Sequence, residues 1–463
     1  MSHAHVVSMI ALDPVTWARV QMAFTLACHI ILVPLAVAWS LITLVANGIG
    51  VWRHDKDALL MAQRWSKVMA VTFAVGAVSG TVLSFEFGLL WPKFMGRFGA
   101  AFGIPFAVEG LFFFLEAIFI SIYIYGWRRL RPLPHLLSGI PIVIAGIGGT
   151  FSVVSANAWM NQPSGFTLDA AGHITSTDPL HVMINNATGY ETLHMMLASY
   201  MVAGFLIASV YAVAMLRKRD DHYVRMAFVI PFTIAAIATP FQIFVGDWAA
   251  RAIAQDQPAK FAAIELVPKT STRVPETLLG YIGADNKVHA GLPIPDLGSL
   301  LTGFSVDTRI VGLEAFPVDD RPAAAEVNYV HISWDVMVGI GVGLLGLSAW
   351  YALVAWRRRG PPTSRVFLAA ASVAGVAAIA ALEAGWMVTE VGRQPWIVNG
   401  LMRVADAGTP FSGVWASFII IAVVYAVVAV ATVLVLRGMV RRWRSPGVDT
   451  APVPYGPASE DAA

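Results

Sequence analysis

The sequence predicts an all-α, polytopic membrane protein of about nine transmembrane helices with one long external loop. Three observations carry that expectation. Of 463 residues, 57% are hydrophobic and only 13% charged, with a mean hydropathy of +0.67; soluble chains of this size carry more charge. Apolar runs of ~20 residues, enough to cross a bilayer, recur along the whole chain. Basic residues cluster in every second connection, as the positive-inside rule requires. The net charge of +2 decides little, because the charges are segregated by loop. The one cysteine, Cys28, excludes an internal disulfide and reads as a packing residue. The start of the chain lacks a basic region followed by a short apolar core and a small-residue cleavage site, so the first span is expected to act as an uncleaved anchor.

The expected spans are 18–46, 66–90, 103–127, 136–159, 190–216, 224–247, 329–356, 366–390 and 411–436. Arg53 and Lys56 follow the first, Arg128 and Arg129 the third, Arg217 and Lys218 the fifth, Arg357 and Arg358 the seventh, and Arg441 and Arg442 the ninth. These connections are expected in the cytoplasm, with the N-terminus outside and the C-terminus inside. The chain divides into helices one to six (1–247), an external loop (248–328), helices seven to nine (329–444) and a tail (445–463). The tail is rich in Pro, Ala and Asp and is expected to be disordered. No internal repeat is visible.

The polar residues inside these spans are the functional candidates, since charge within a membrane is costly and usually retained for a purpose. His29 lies within span one, as a ligand or as a donor to a backbone carbonyl. Glu86 stands near the outer end of span two, beside the interface anchor Trp91, and suits a solvated end residue. Glu109 and Glu116 in span three are seven apart, two turns on one face, and read as proton carriers or as a structural pair. Ser152 and Ser155 in span four could join a proton wire or bond back to their own helix. His194 and Met337 lie at similar depth in spans five and seven, and a His–Met pair across two helices can hold a six-coordinate haem. The loop from Trp248 to Asn328 is long enough to be functional in itself, and it carries Lys260 and Glu265, which suit an exposed pair equally well. The stretch LEAGWMVTEVGRQPW, Leu382 to Trp396, places Glu383 and Glu390 on one face with Trp386 and Met387 between them. Arg393 follows Glu390 by three and is close enough to pair, a reading that needs only helix packing.

The word EAGW-x3-E-x-GRQPW resembles subunit I of cytochrome bd-type quinol oxidases. So do the run from Arg19 through His29 to Pro34, the word ANAWMNQP at 156–163, and the Lys-x4-Glu element at Lys260 and Glu265. The loop is short after Glu314, like the branch of that family of which some members tolerate cyanide. The resemblance covers nearly all the chain to about Trp443. It implies a low-spin haem b on His194 and Met337. It implies two high-spin haems, a haem b and either haem d or a further haem b, held by His29 with Glu109 and by Glu390 near Trp386. Arg393 would bind haem propionates, for which a guanidinium fork suits carboxylates. Lys260 and Glu265 would bind and deprotonate quinol at the outer face. Glu116 would line the path of cytoplasmic protons used to reduce O2 to water. The resemblance also implies a membrane-embedded subunit II, a small accessory subunit in some members, and the bacterial cytoplasmic (inner) membrane.

One position departs from the pattern. Quinol-oxidising members commonly have an Arg two residues before the low-spin haem Met, where this chain has Asp335, which opens the alternative of another electron donor. An anion beside a haem tends to lower its potential. His331 lies in the same region with no role in the pattern. Two further classes fit parts of the sequence. A membrane cytochrome b that only carries electrons would not need Glu109 and Glu390, and a proton-coupled transporter would be colourless and commonly shows an inverted repeat.

Overall fold

A computed structural model describes residues 13–445 and Tyr455. Ten helices frame the molecule: α1 (Pro14–Arg53), α2 (Lys56–Leu90), α3 (Pro92–Gly126), α4 (Ile140–Asn161), α5 (Thr188–Leu216), α6 (His222–Asp256), α7 (Pro258–Ile264), α8 (Ala324–Arg358), α9 (Arg365–Gly392) and α10 (Val414–Arg444). All except the short α7 belong to the nine candidate membrane spans among the described residues, with α4 extended by a helical turn that begins at Pro132. Their starts follow local chemistry. Asp13, Asp55, Asp221 and Ser364 each accept a backbone N–H of the first turn of α1, α2, α6 and α9, satisfying donors that no helical carbonyl reaches.

The helices pack as two antiparallel four-helix groups. In the first, α1 lies against α2 and α4, and α3 against α2 and α4. In the second, α5 lies against α6 and α9, and α8 against α6 and α9. Contacts of α5 with α1 and α4 join the groups, and α10 lies outside the first, against α1 and α2. The second group is closed by a cluster of Phe205, Phe228, Phe232 and Phe367, all fully buried. Glycine permits the closest crossings. A Cβ at Gly204 would stand 2.6 Å from Pro231 O, and one at Gly375 would collide with the backbone of Leu206.

Several helices run beyond the limits that hydropathy sets, because their polar extensions leave the apolar slab. The segment 248–328 is therefore helical at both ends, as the ends of α6 and α8. Between them lie α7, two short hairpins (Glu276–Leu278 with Leu292–Ile294, and Tyr281–Ile282 with Val288–His289) and the helix Leu297–Gly303. The disorder expected of the tail 445–463 lies outside the described residues, apart from Ser445 and Tyr455. Tyr455 is docked: its hydroxyl donates to Asn47 Oδ1 at 2.8 Å and its ring lies 5.3 Å from that of Trp127.

Candidate functional site

A cavity of about 550 Å³ opens within the second helix group and beneath the loop. It gathers five of the residues singled out from the sequence: His194, Met337, Trp386, Lys260 and Glu265. Two glycines give the ligand-type side chains their room. A Cβ at Gly246 of α6 would stand 3.4 Å from His194 Cε1, and one at Gly385 of α9 would stand 2.9 Å from Met337 Sδ. Among the described residues, His194 Nδ1 is buried without a hydrogen-bond partner, as are Tyr190 Oη and Gln242 Oε1, which line the same cavity. Buried polar atoms without partners are rare in folded proteins. Their convergence on one apolar cavity is what a ligand site requires. An imidazole and a thioether on facing helices are a donor set that fits a six-coordinate haem.

Lys260 and Glu265 are not exposed. They are 4% and 6% accessible, because the hairpins fold over α7, and the reading as a solvated pair does not hold. They also face different neighbours. The stem of Lys260 packs on Gly392, where a Cβ would come 3.1 Å from its Cγ and Cε. Burial pulls Lys260 down to about 8, with Glu191 acting in the opposite sense and Arg393 in the same. Glu265 is pushed well above the ordinary carboxylate range, first by burial and then by the neighbouring carboxyl of Glu276 and by Asp335. Its Oε2 is buried with no hydrogen-bond partner among the described residues.

Asp335 and His331 of α8 hold this loop in place. Asp335 Oδ2 accepts the Leu279 N–H at 2.6 Å and lies 3.3 Å from His331 Nε2. His331 Nδ1 donates to Ile264 O, the last residue of α7, at 2.7 Å. Asp335 is thus engaged with the loop, and it is not among the residues that line the cavity.

At the end of α9, Arg393 NH2 donates to Glu390 Oε2 at 2.6 Å. Asn157 Nδ2 of α4 donates to Glu390 Oε1 at 2.8 Å. Arg393 is 6% accessible, yet its Nε and NH1 have no partner among the described residues. The Glu–Arg pair read from the sequence is present, but it leaves guanidinium donors over, which suits an anionic ligand such as a haem propionate. Asn157, Asn161, Glu191 and Glu276 were not singled out from the sequence. The first two stand in the word ANAWMNQP at an i,i+4 spacing, a signal that was visible.

The first helix group holds the remaining candidates. Gln21, Thr25 and His29 form a polar stripe on α1 facing α2. Glu86 Oε1 accepts from Gln21 Nε2 at 2.7 Å and from Thr25 Oγ1 at 3.0 Å. At 2% accessible, Glu86 is a buried anchor rather than a solvated end residue. His29 Nδ1 lies 2.8 Å from Ser79 Oγ, whose own proton goes to Gly76 O. With the hydroxyl proton on Gly76 O, the imidazole would donate from Nδ1 and leave the Nε2 lone pair to a metal. Glu116 is buried against Gly146 of α4, whose Cβ would stand 3.8 Å from its Oε1. Glu109, two turns away on the same face, is half-buried, and no hydrogen bond joins it to His29. Ser152 and Ser155 bond back to Gly148 O and Phe151 O of their own helix, the non-functional of their two readings.

The family model described as cytochrome bd terminal oxidase subunit I matches residues 17–443. The chain belongs to this family. It is 28% identical over 402 residues to the cytochrome bd ubiquinol oxidase subunit 1 of Bacillus subtilis (strain 168), covering 85% of this chain and 86% of that protein. It is 25% identical over 497 residues to the cytochrome bd-II ubiquinol oxidase subunit 1 of Escherichia coli (strain K12), covering 93% and 96%. The solved bd oxidase from Geobacillus thermodenitrificans matches with a TM-score of 0.86 at 34% identity, over 93% of this chain and 99% of that one. The nine-span all-α architecture expected from the sequence is that of the family.

For a cytochrome bd subunit I built this way, His194→Ala or Met337→Leu should remove the low-spin haem signal and leave a carbon monoxide-binding haem in place. The reduced-minus-oxidised spectrum checks this. An unchanged low-spin band in both variants would mean that the cavity holds something else.

Proposed function

We propose that this chain is the haem-carrying subunit of a quinol:oxygen oxidoreductase in the bacterial cytoplasmic (inner) membrane. The observation that carries the reading is the single cavity shared by His194, Met337, Lys260 and Glu265. It puts haem-ligand chemistry and acid–base chemistry within one enclosure. Bound haems supply the electron carriers and the site at which O2 is reduced. His194 and Met337 would hold a low-spin haem b. His29 with Glu109, and Glu390 near Trp386, would hold a high-spin haem b and a haem d or further haem b. Arg393 would direct its free nitrogens to propionates.

The protein's own work is to seat quinol and to move protons. Lys260 orients a ring oxygen by donating to it. Glu265, when ionised, accepts the proton of the bound hydroxyl; such a base acts only within hydrogen-bond reach. Trp386 and the apolar wall exclude water. Asp335 and His331 clamp the loop, so Asp335 supports the donor site and does not argue for another reductant. Glu116 would pass cytoplasmic protons toward Glu109. By the positive-inside rule the basic connections 53–56, 126–140, 216–222 and 358–365 would lie in the cytoplasm, with the N-terminus and the loop outside. α10 and α3 bury little of themselves within the chain. Their free faces suit a membrane-embedded subunit II and a small accessory subunit.

Glu265→Ala and Lys260→Ala should each lower quinol-dependent oxygen uptake at least ~10-fold, within what a positioned acid–base group contributes. Uptake with an artificial donor that reduces the haems directly should survive. Full quinol activity in both variants, or a wild type that uses the artificial donor but neither ubiquinol nor menaquinol, would overturn the reading.

The pH profile tests the acid–base role. Glu265 accepts a proton only when ionised, so kcat/KM for quinol should rise with pH as it ionises. Glu276 is among the groups that hold Glu265 high. Glu276→Gln removes that neighbouring charge, Glu265 ionises at lower pH, and the rising limb should move to lower pH. A limb that stays, or moves upward, would remove Glu265 from the role of base.

A further inference from the structure

The two helix groups are joined, at the end that carries the loop, by an unbroken string of side-chain hydrogen bonds. Glu191 of α5, three residues before His194, lines the donor cavity. Its Oε1 accepts from Asn161 Nδ2 at 2.8 Å. The same nitrogen donates to Asn157 Oδ1 at 2.9 Å, and Asn157 Nδ2 donates to Glu390 Oε1 at 2.8 Å. Arg393 closes the string on Glu390 Oε2. Lys260 lies against Gly392, beside Arg393, and of the charged groups Glu191 acts on it most strongly. Asn161 is fully buried and Asn157 is 9% accessible, so the middle of the string is shielded from water, while the Glu390 side chain at its end is 32% accessible.

A carboxamide neither gains nor loses a proton in the working pH range, so this is not a proton wire. What it transmits is orientation and charge. Asn161 is held by the carboxylate of Glu191, and it in turn fixes Asn157 with its N–H aimed at Glu390. We propose that Glu191 is a positioning residue whose charge, passed through the Asn161–Asn157 pair, sets the environment of Glu390, so that the donor cavity and the Glu390 site are electrostatically coupled. Such a coupling is reciprocal: a change of charge at the donor side shifts the haem held at Glu390, and reduction there shifts the donor side. This rests on the reading that Glu390 holds a high-spin haem.

The test is a double-mutant cycle on the complete purified oxidase, comparing wild type, Glu191→Gln, Asn161→Ala and the double variant. Mediated redox titration reads the reduction equilibrium of the high-spin haem, and the carbon monoxide difference spectrum reads its surroundings. Glu191→Gln alone should change that equilibrium at least about threefold, near the lower end for side chains in one network. In the Asn161→Ala background the same change should have less than half that effect on the free-energy scale. No change with Glu191→Gln, or an equal change in both backgrounds, would overturn the proposal and leave the string as a structural staple. If Asn161→Ala loses haem, Asn161→Ser completes the cycle. Redox mediators rather than quinol reduce the protein here, so a failed quinol reading leaves the test intact. A failed haem reading at Glu390 would show separately, as an unaltered high-spin haem in Glu390→Ala.

Discussion

The hydrogen bond from Asn157 to Glu390 spans the junction between the two helix groups, and the candidate site depends on the constraint behind it. In an apolar interior a carboxylate or guanidinium is tolerated only when it is paired or holds a ligand. Glu390 has two partners, one from its own helix and one from the other group. That fixes the end of α9 against α4. With α9 fixed, Gly385 meets Met337, Gly392 meets Lys260, and Trp386 forms a wall of the cavity. Arg393 retains donors that no group among the described residues satisfies. The same logic recurs in the first group, where Glu86 is held by Gln21 and Thr25 and His29 is oriented by Ser79.

The loop solves a different problem. Quinol chemistry needs a base and a cation sheltered from water, and no membrane helix supplies Lys260 or Glu265. Lys260 comes from the short helix α7 and Glu265 from the residue that follows it, and so short a helix carries little stability of its own. Its burial is imposed by α8 through His331 and Asp335 and by the hairpins that cover it. An aspartate at the position where the resemblance implied an arginine is thus accounted for by the fold, as a clamp between α8 and the loop.

Much of the architecture was legible in the sequence, because apolar runs and alternating basic connections reflect the bilayer directly. Helix ends were less legible, since the starts of α2 and α3 and the end of α6 carry polar residues and resemble loop. Among site residues, His194 and Glu390 stood out because their types are rare in apolar spans, whereas Met337, Lys260 and Glu265 stood out through the resemblance to the family's pattern. Glu191 and Asn157 did not. Their partners lie 30 and 233 residues away in the chain, and pairing at that separation leaves no periodic trace. The burial of Glu86 was hidden for the same reason: nothing at its own position reveals that Gln21 and Thr25 of another helix cover it. The burial of Lys260 and Glu265 is also a tertiary property, invisible in a polar segment.

The measurement that bears most directly on this picture is the reduced-minus-oxidised spectrum of the purified oxidase, recorded with and without carbon monoxide. Low-spin and high-spin sites on one chain should give a low-spin haem b band that carbon monoxide leaves unchanged, together with high-spin features that it shifts. A colourless protein, or one whose only haem is low-spin and indifferent to carbon monoxide, would contradict the assignment of His29, Glu109 and Glu390 and leave this chain an electron carrier or a transporter.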